Sequence, residues 1–263
     1  MNILEKIIAD KRNEIALKKA IIPINAWKRL PLYKEKRLSL KQSLLKEDST
    51  GIIAEFKRKS PSKGVINADA VLEDVILAYD FGAAGISVLT DEKYFGGTSD
   101  DLVLAREMVT TPLLRKDFII DEYQLEEARG IGADVILLIA SCLSKQEVKR
   151  LAQKAKSLNL EVLLELHTEE ELGHICDETE IIGVNNRDLK TFNVNVERSL
   201  LMAEKIPAGK IKIAESGISS IESIKLFREN GFHGFLIGEH FMKEKNPAIA
   251  FVTFINQLKN GRA

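Results

Sequence analysis

Eight short, apolar, β-branched runs recur along the chain, at Ile52–Phe56, Ile86–Thr90, Leu113–Lys116, Val135–Ala140, Glu161–Leu166, Ile181–Val184, Lys212–Glu215 and Phe235–Ile237. Successive runs start roughly 20 to 34 residues apart, the length of a strand-helix unit whose strands lie parallel. The stretches between them carry helical periodicity, as at Ala70–Phe81, Asp100–Val109, Asp121–Ile131, Lys145–Leu158 and Ile221–Asn230. Glycines stop several of these helices directly before the next run, in FGAAG at 81–85, GIGAD at 130–134 and NGFHG at 230–234. Eight such units in 263 residues predict an α/β protein of the (β/α)8 TIM-barrel class, for which about 250 residues is typical. An open doubly wound sheet would place a glycine-rich phosphate turn after its first strand. Here that turn reads KRKSPSKG, with neither GxGxxG nor a Walker-type GKS or GKT, and the closed barrel is the better account.

About fifty residues precede the first run. Residues 3–20 read as an amphipathic helix with Ile3, Ile7, Ile8, Ile15 and Leu17 on its apolar side, closed by Ile22-Pro23. A short helix is expected at Ser39–Lys46. Residues 1–48 are thus expected to be an N-terminal helical extension, packed on the barrel through Ile, Leu and Trp27, within a single domain spanning 1–263. The N-terminus mixes acidic and basic residues through its apolar positions, unlike a signal peptide. No run reaches the roughly 18 apolar residues of a membrane span. A cytoplasmic protein with no membrane association is therefore expected. The net charge of −1 gives no basic field to draw nucleic acid, and the cluster Lys34–Arg37 reads as a solvated face. Cys142 and Cys176 stand in unrelated contexts and the four histidines form no HExxH pattern, so no metal site is expected. Both thiols read as reduced and structural, and His167 as a hydrogen-bonding loop residue. The last helix is expected at Pro247–Lys259, with no fused enzyme after it.

In a barrel of this kind the chemistry sits at the C-terminal ends of the strands. Those ends carry, in order, Glu55 and Lys57, Thr90, Lys116 and Phe118, Ser141, Glu165, Asn185 and Arg187, Glu215 and Ser216, and Gly238. Glu55 and Lys57, two apart, share the strand face of Ile53. Lys116, Glu165 and Glu215 each interrupt an apolar strand. Burying charges gains little net stability even when they are paired. Five charged groups (Glu55, Lys57, Lys116, Glu165, Glu215) on one opening therefore point to chemistry. After the last two strands, ESGI and GEHFM suit a phosphate, which backbone N–H groups of these loops and a short helix would hold. Gly217 and Gly238 would let the backbone approach that anion closely. On the residues alone, a Schiff-base aldolase using Lys116 or Lys57 stays open, as does a barrel serving only as a binding scaffold.

The blocks IIAEFKRKSPSKG, LRKDFIIDEYQ, LLELHTEEEL, IGVNNRDL, IAESGI and FLIGEHFM resemble, in that order, those of the indole-3-glycerol phosphate synthase family of tryptophan biosynthesis. The resemblance runs over essentially the whole chain. It implies a carboxy-lyase that closes, decarboxylates and dehydrates 1-(2-carboxyphenylamino)-1-deoxyribulose 5-phosphate to indole-3-glycerol phosphate. It implies Lys116 as the general acid at the substrate ketone and Glu165 as the partner carboxylate in later proton transfers. Glu55 and Lys57 match the family's charged pair, with Lys57 reaching the substrate carboxylate and helping to hold the phosphate end. Asn185 and Glu215 match groups that orient the sugar-derived chain and tune Lys116. Ser60, Pro61, Phe118, Arg187, Leu189 and Leu236 match residues around the anthranilate ring, the first two on a mobile loop. Ser216, Gly217, Gly238 and Glu239 match the phosphate loops. The implied partner is a small phosphorylated molecule alone, with no cofactor and no obligate protein partner. Two positions depart from the pattern. Glu239 stands where a small residue is frequent, so its side chain is expected to point outward. Asn186 stands where relatives often carry serine.

Overall fold

The computed structural model describes residues 3–188 and 193–260, and in it the eight apolar runs form eight parallel strands closed into one barrel. They are β1 Ile52–Phe56, β2 Gly85–Leu89, β3 Leu113–Lys116, β4 Val135–Ile139, β5 Glu161–Leu166, β6 Ile181–Asn185, β7 Ile211–Glu215 and β8 Gly234–Ile237. β1 closes the ring by pairing with both β8 (Ile53 opposite Leu236) and β2 (Glu55 opposite Ser87). Every strand bound lies within one residue of the sequence expectation.

Alternation along each strand divides the apolar residues between two cores. Ile52, Ala54, Ile86, Leu113, Ile136, Leu164, Val184 and Phe235 face outward and pack with helix residues such as Tyr79, Leu125, Leu151, Phe227 and Phe251. Ile53, Leu114, Leu137, Leu163, Ile213 and Leu236 face inward and fill the barrel axis. Several helices start where side chains cap them. Asp121 with Gln124 and Ser144 with Glu147 form capping boxes that open Glu122–Gly130 and Lys145–Ser157, each worth about 1 kcal/mol. Between β5 and β6 the expected helix is replaced by a 3-10 run, Glu169–His174. That link is short, and Glu171 turns back to accept from the backbone N–H of His167 at 2.6 Å.

The extension wraps the barrel from one mouth to the other. Its first helix, α1 Ile3–Ile21, lies over the C-terminal mouth. Its buried stripe is Ile7, Lys11 and Ile15, joined by Ile8, while Leu17, expected on the apolar face, is exposed. Lys11 takes that buried place because its ammonium meets Asp91 at 2.8 Å, Asp117 at 3.0 Å and Glu14 at 2.8 Å. Trp27 packs edge-on against Tyr123. The opposite mouth is plugged by Leu40 and Leu44 of the short helix Leu40–Leu44. Gly85 leaves the space for this plug, since a β-carbon there would lie 2.5 Å from Leu40 Cδ1. Burying a leucine contributes about 1.5–3 kcal/mol, and Glu161 pins the plug by accepting from Ser39 Oγ at 2.5 Å and Lys41 N at 3.1 Å. Arg37 departs from the solvated face expected of Lys34–Arg37. It is half-buried and donates to the carbonyls of Ala133 and Leu32.

Candidate active site

Continuing the inward face past the apolar core places one polar side chain after another at the C-terminal mouth. Lys116 follows Leu114, Glu165 follows Leu163, Asn185 follows Gly183, Glu215 follows Ile213 and Glu55 follows Ile53, each two residues on. Lys116 Nζ sits between two carboxylates, 2.7 Å from Glu215 Oε2 and 3.0 Å from Glu165 Oε2. Asn185 Nδ2 donates to the other oxygen of Glu165 at 2.9 Å. Glu215 Oε1 is buried without a partner, and Gly183 is what leaves room for it: a β-carbon there would stand 2.0 Å from that oxygen.

The electrostatics separate the two glutamates. Burial penalises the charge on Lys116, but Glu165, Glu215 and Glu55 more than offset this and hold its pKa well above the usual lysine range. Burial also opposes ionisation of Glu165, yet the Lys116 ammonium and His167 hold it well below the usual carboxylate range. For Glu215 burial prevails: the pull of Lys116 is partly cancelled by Glu165, and its pKa is pushed up to about 7. Near neutral pH the site thus holds a fixed ammonium, a fixed carboxylate and a carboxyl poised to exchange a proton.

These groups line a cavity of about 450 Å³. Glu55, Lys57, Ser60, Pro61, Lys116, Phe118, Glu165, Asn185, Arg187, Glu215, Ser216, Gly217, Leu236, Gly238 and Glu239 all border it; Leu189 lies outside the described residues. Lys57 Nζ is 2.5 Å from Glu55 Oε1, as expected for side chains two apart on one strand face. The loop after β1, read as a polar turn, contains a small hairpin that pairs Lys59–Ser60 with Gly64–Val65 and carries Ser60 and Pro61 over the cavity.

One half of the wall is apolar, with Leu89, Phe95, Leu137, Ile139, and Ile3, Leu4 and Ile7 of α1 added to Phe118 and Leu236. Sequence reasoning did not name these additions. Leu137 and Ile139 could have been found from the inward alternation of β4. Phe95, 6.0 Å from Phe118 between ring centres, ends the short helix Glu92–Phe95 after β2, and the α1 residues arrive by wrapping. His167 also borders the cavity and is buried, beyond the loop role expected of it.

The remaining wall suits an anion. Ser216 and Gly217 have φ of 68° and 71°, two left-handed residues in succession that turn the chain sharply after β7. Fully buried Asn186 braces this turn by donating from Nδ2 to Ser216 O at 2.7 Å. No side chain caps the helix Glu239–Met242; Phe241 and Met242 N–H turn back to Gly238 O, which leaves the Glu239 and His240 N–H groups to face a ligand. The Glu239 carboxylate reaches Arg187 Nη2 at 3.4 Å and Lys63 Nζ at 3.9 Å, on the partly exposed rim.

The family model described as indole-3-glycerol phosphate synthase matches residues 4–254. The chain is 46% identical over 259 residues to the indole-3-glycerol phosphate synthase of Bacteroides thetaiotaomicron, covering 98% of this chain and 99% of that one. It is 43% identical over 256 residues to the protein of the same name from Chromobacterium violaceum, covering 95% and 96%. Among solved structures, a chain of the tryptophan synthase complex from Pyrococcus furiosus superposes with a TM-score of 0.60 at 15% identity, over 81% of this chain and 99% of that chain. KGPDC from Streptococcus mutans does so with a TM-score of 0.60 at 18% identity, over 80% and 97%. At such identities these two structures speak for the barrel alone.

Proposed function

The chain belongs to the indole-3-glycerol phosphate synthase family, and we propose that Lys116 is the acid on which its reaction turns. The enzyme is a carboxy-lyase of tryptophan biosynthesis. It converts 1-(2-carboxyphenylamino)-1-deoxyribulose 5-phosphate to indole-3-glycerol phosphate, carbon dioxide and water. The observation that carries the role of Lys116 is its ammonium, held by two carboxylates at the mouth and kept protonated by them.

In this reading the aromatic carbon bearing the carboxylate attacks the ketone carbon, and Lys116 protonates the developing alkoxide. Carbon dioxide then leaves, returning its bonding pair to the ring. The new hydroxyl departs as water after a second protonation from Lys116, and Glu165 takes the proton from the ring carbon beside nitrogen. Glu215 and Asn185 orient the sugar-derived chain and hold Lys116 and Glu165 in line. Lys57, steadied by Glu55, takes the substrate carboxylate. Ser60, Pro61, Phe118, Leu236 and Arg187 surround the aromatic ring, with Leu189 as a further member. Backbone N–H groups of Ser216, Gly217, Gly238 and Glu239 hold the phosphate, whose binding energy keeps a flexible substrate bent for closure.

An aldolase-type Schiff base needs a neutral lysine, and the ion pairs push Lys116 the other way. No helix among the described residues is long and apolar enough to cross a membrane. The enzyme would act in the cytoplasm, without a second protein. The purified chain, given the substrate and nothing else, is expected to show growing indole fluorescence; no growth would sink the reading. The close fit at Gly183 supplies a finer check. Gly183→Ala is expected to push Glu215 off Lys116 and lower kcat by about 100-fold, as misplacement by about 1 Å can do. Circular dichroism should remain that of the folded barrel. An unchanged kcat would mean that the Glu215 contact is not used.

A further inference from the structure

The reaction consumes a proton. The substrate carboxylate leaves as neutral carbon dioxide. The ketone oxygen needs two protons to leave as water, and the ring carbon beside nitrogen returns one. One proton per product therefore enters from solvent. Substrate filling the cavity covers Lys116 from the mouth, so that proton needs another way in.

His167 is a buried titratable group with no part in the steps above. It follows Glu165 by two residues and is 4% exposed. Its Nε2 lies 3.0 Å from Glu165 Oε1, with no aligned hydrogen bond. On the far side of the ring, Nδ1 is 3.2 Å from Ser141 Oγ. Ser141 Oγ in turn donates to Glu171 Oε1 at 2.5 Å, and Ser141 is exposed to solvent. The three groups form a file of contacts within 3.2 Å from solvent to the carboxylate whose other oxygen holds Lys116. They come from the segments after β4 and β5; His167 borders the cavity, while Ser141 and Glu171 lie outside its lining.

We propose that Glu171, Ser141 and His167 are the path by which a solvent proton recharges the Lys116–Glu165 pair once per turnover. The proposal rests on the reaction assigned above. Glu171 takes a proton from water. The Ser141 hydroxyl accepts it and passes its own to His167 Nδ1. Nε2 gives its proton to Glu165, which hands one to the Lys116 amine that has lost its own to substrate; a half-turn of the imidazole, left protonated at Nδ1, restores a proton at Nε2 before the next turnover. His167 is a relay residue acting through Glu165. Burial disfavours its charged form, but Glu165, Glu171 and Glu215 face the ring and outweigh that, raising its pKa. Cys142, beside Ser141, does not compete, because burial and then Glu165 push its thiol up.

Ser141→Ala cuts the path without touching Glu165, and His167→Asn keeps a polar side chain that cannot pass a proton on. For each, kcat is expected to fall about 10-fold or more with KM unchanged, the lower end of what losing a positioned proton-transfer group costs. The solvent deuterium isotope effect on kcat should rise, and added imidazole should partly restore His167→Asn. A purely structural role for these side chains would move neither the isotope effect nor the rescue. If both variants keep the wild-type kcat and isotope effect, the relay is overturned. A wild-type enzyme that makes no indole product in the same assay would instead overturn the assigned reaction.

Discussion

Lys116→Met is expected to lose turnover by about 1,000-fold or more while folding as the wild type does. The size follows from removing the acid that both protonation steps use, each worth about 100- to 10,000-fold. Methionine keeps the length of the side chain and packs against Leu114 and Leu137, so the barrel axis stays filled. Glu165 and Glu215 are then left together without a cation. Glu215, already near neutral pH in its titration, answers by keeping its proton. Lys116→Arg sharpens the test. Guanidinium preserves the charge and the ion pairs but releases no proton at accessible pH. It should therefore be nearly as inactive as methionine if the group is an acid, and substantially active if it serves only as a positive charge. Steady-state indole fluorescence with thermal melts measures both. Turnover comparable to wild type in the methionine variant would sink the general-acid assignment.

Arg115→Leu is expected to cost about 3–5 kcal/mol, the usual penalty for breaking a buried ion pair from one side. Arg115 points away from the cavity, opposite to Lys116, and is fully buried. Its guanidinium meets Glu127 at 2.7 Å and Asp117 at 3.1 Å, and donates to Thr90 Oγ1 and Gln124 O. Without it, Lys11 is the cation left to Asp117, which also accepts from Thr90 Oγ1 and Phe118 N, and Lys18 the one left to Glu127. At roughly 2–4 °C per kcal/mol for a chain of this size, Tm should fall by about 10 °C. A pH signature accompanies this. Burial raises the pKa of Asp117 and of Glu127, but for Asp117 Lys11 and then Arg115, and for Glu127 Arg115 and then Lys18, depress each below its ordinary value. A carboxylate with a depressed folded pKa contributes stability above its unfolded value, about 4, and loses it as pH falls through the folded one. The variant should thus show a shallower decline of Tm on the acid side than the wild type. A wild-type melting curve at neutral pH would refute the assignment of stability to this network.

The barrel was legible because strand alternation and glycine stops are local signals, written within each thirty-residue unit. The polar mouth was legible for the same reason: Lys116, Glu165 and Glu215 each break an apolar run at its end. What escaped depends on residues far apart in the chain. The burial of Lys11 needs Asp91 and Asp117, about eighty and a hundred positions on, so a helix read in isolation gives that stripe to Leu17 instead. Phe95 and the α1 residues reach the cavity only through tertiary packing. The hairpin of Lys59–Ser60 with Gly64–Val65 is too short to show a period. His167 read as a loop histidine because its neighbours, Ser141 and Glu165, come together only after β4 and β5 pair.

The plug under the barrel also sets an order of events for a chain being made. Leu40 and Leu44 belong to a segment synthesised before any strand, yet Ser39 is held by Glu161, 122 positions later. That latch cannot close until β5 has emerged. At about 5–20 residues per second, the segment waits on the order of 6–24 s with its leucines unburied. A segment made before any strand thus locks only after five strands have been made, and its solubility in the interval rests on the charged residues around it, Lys34 to Arg37, Lys41 and Lys46 to Asp48.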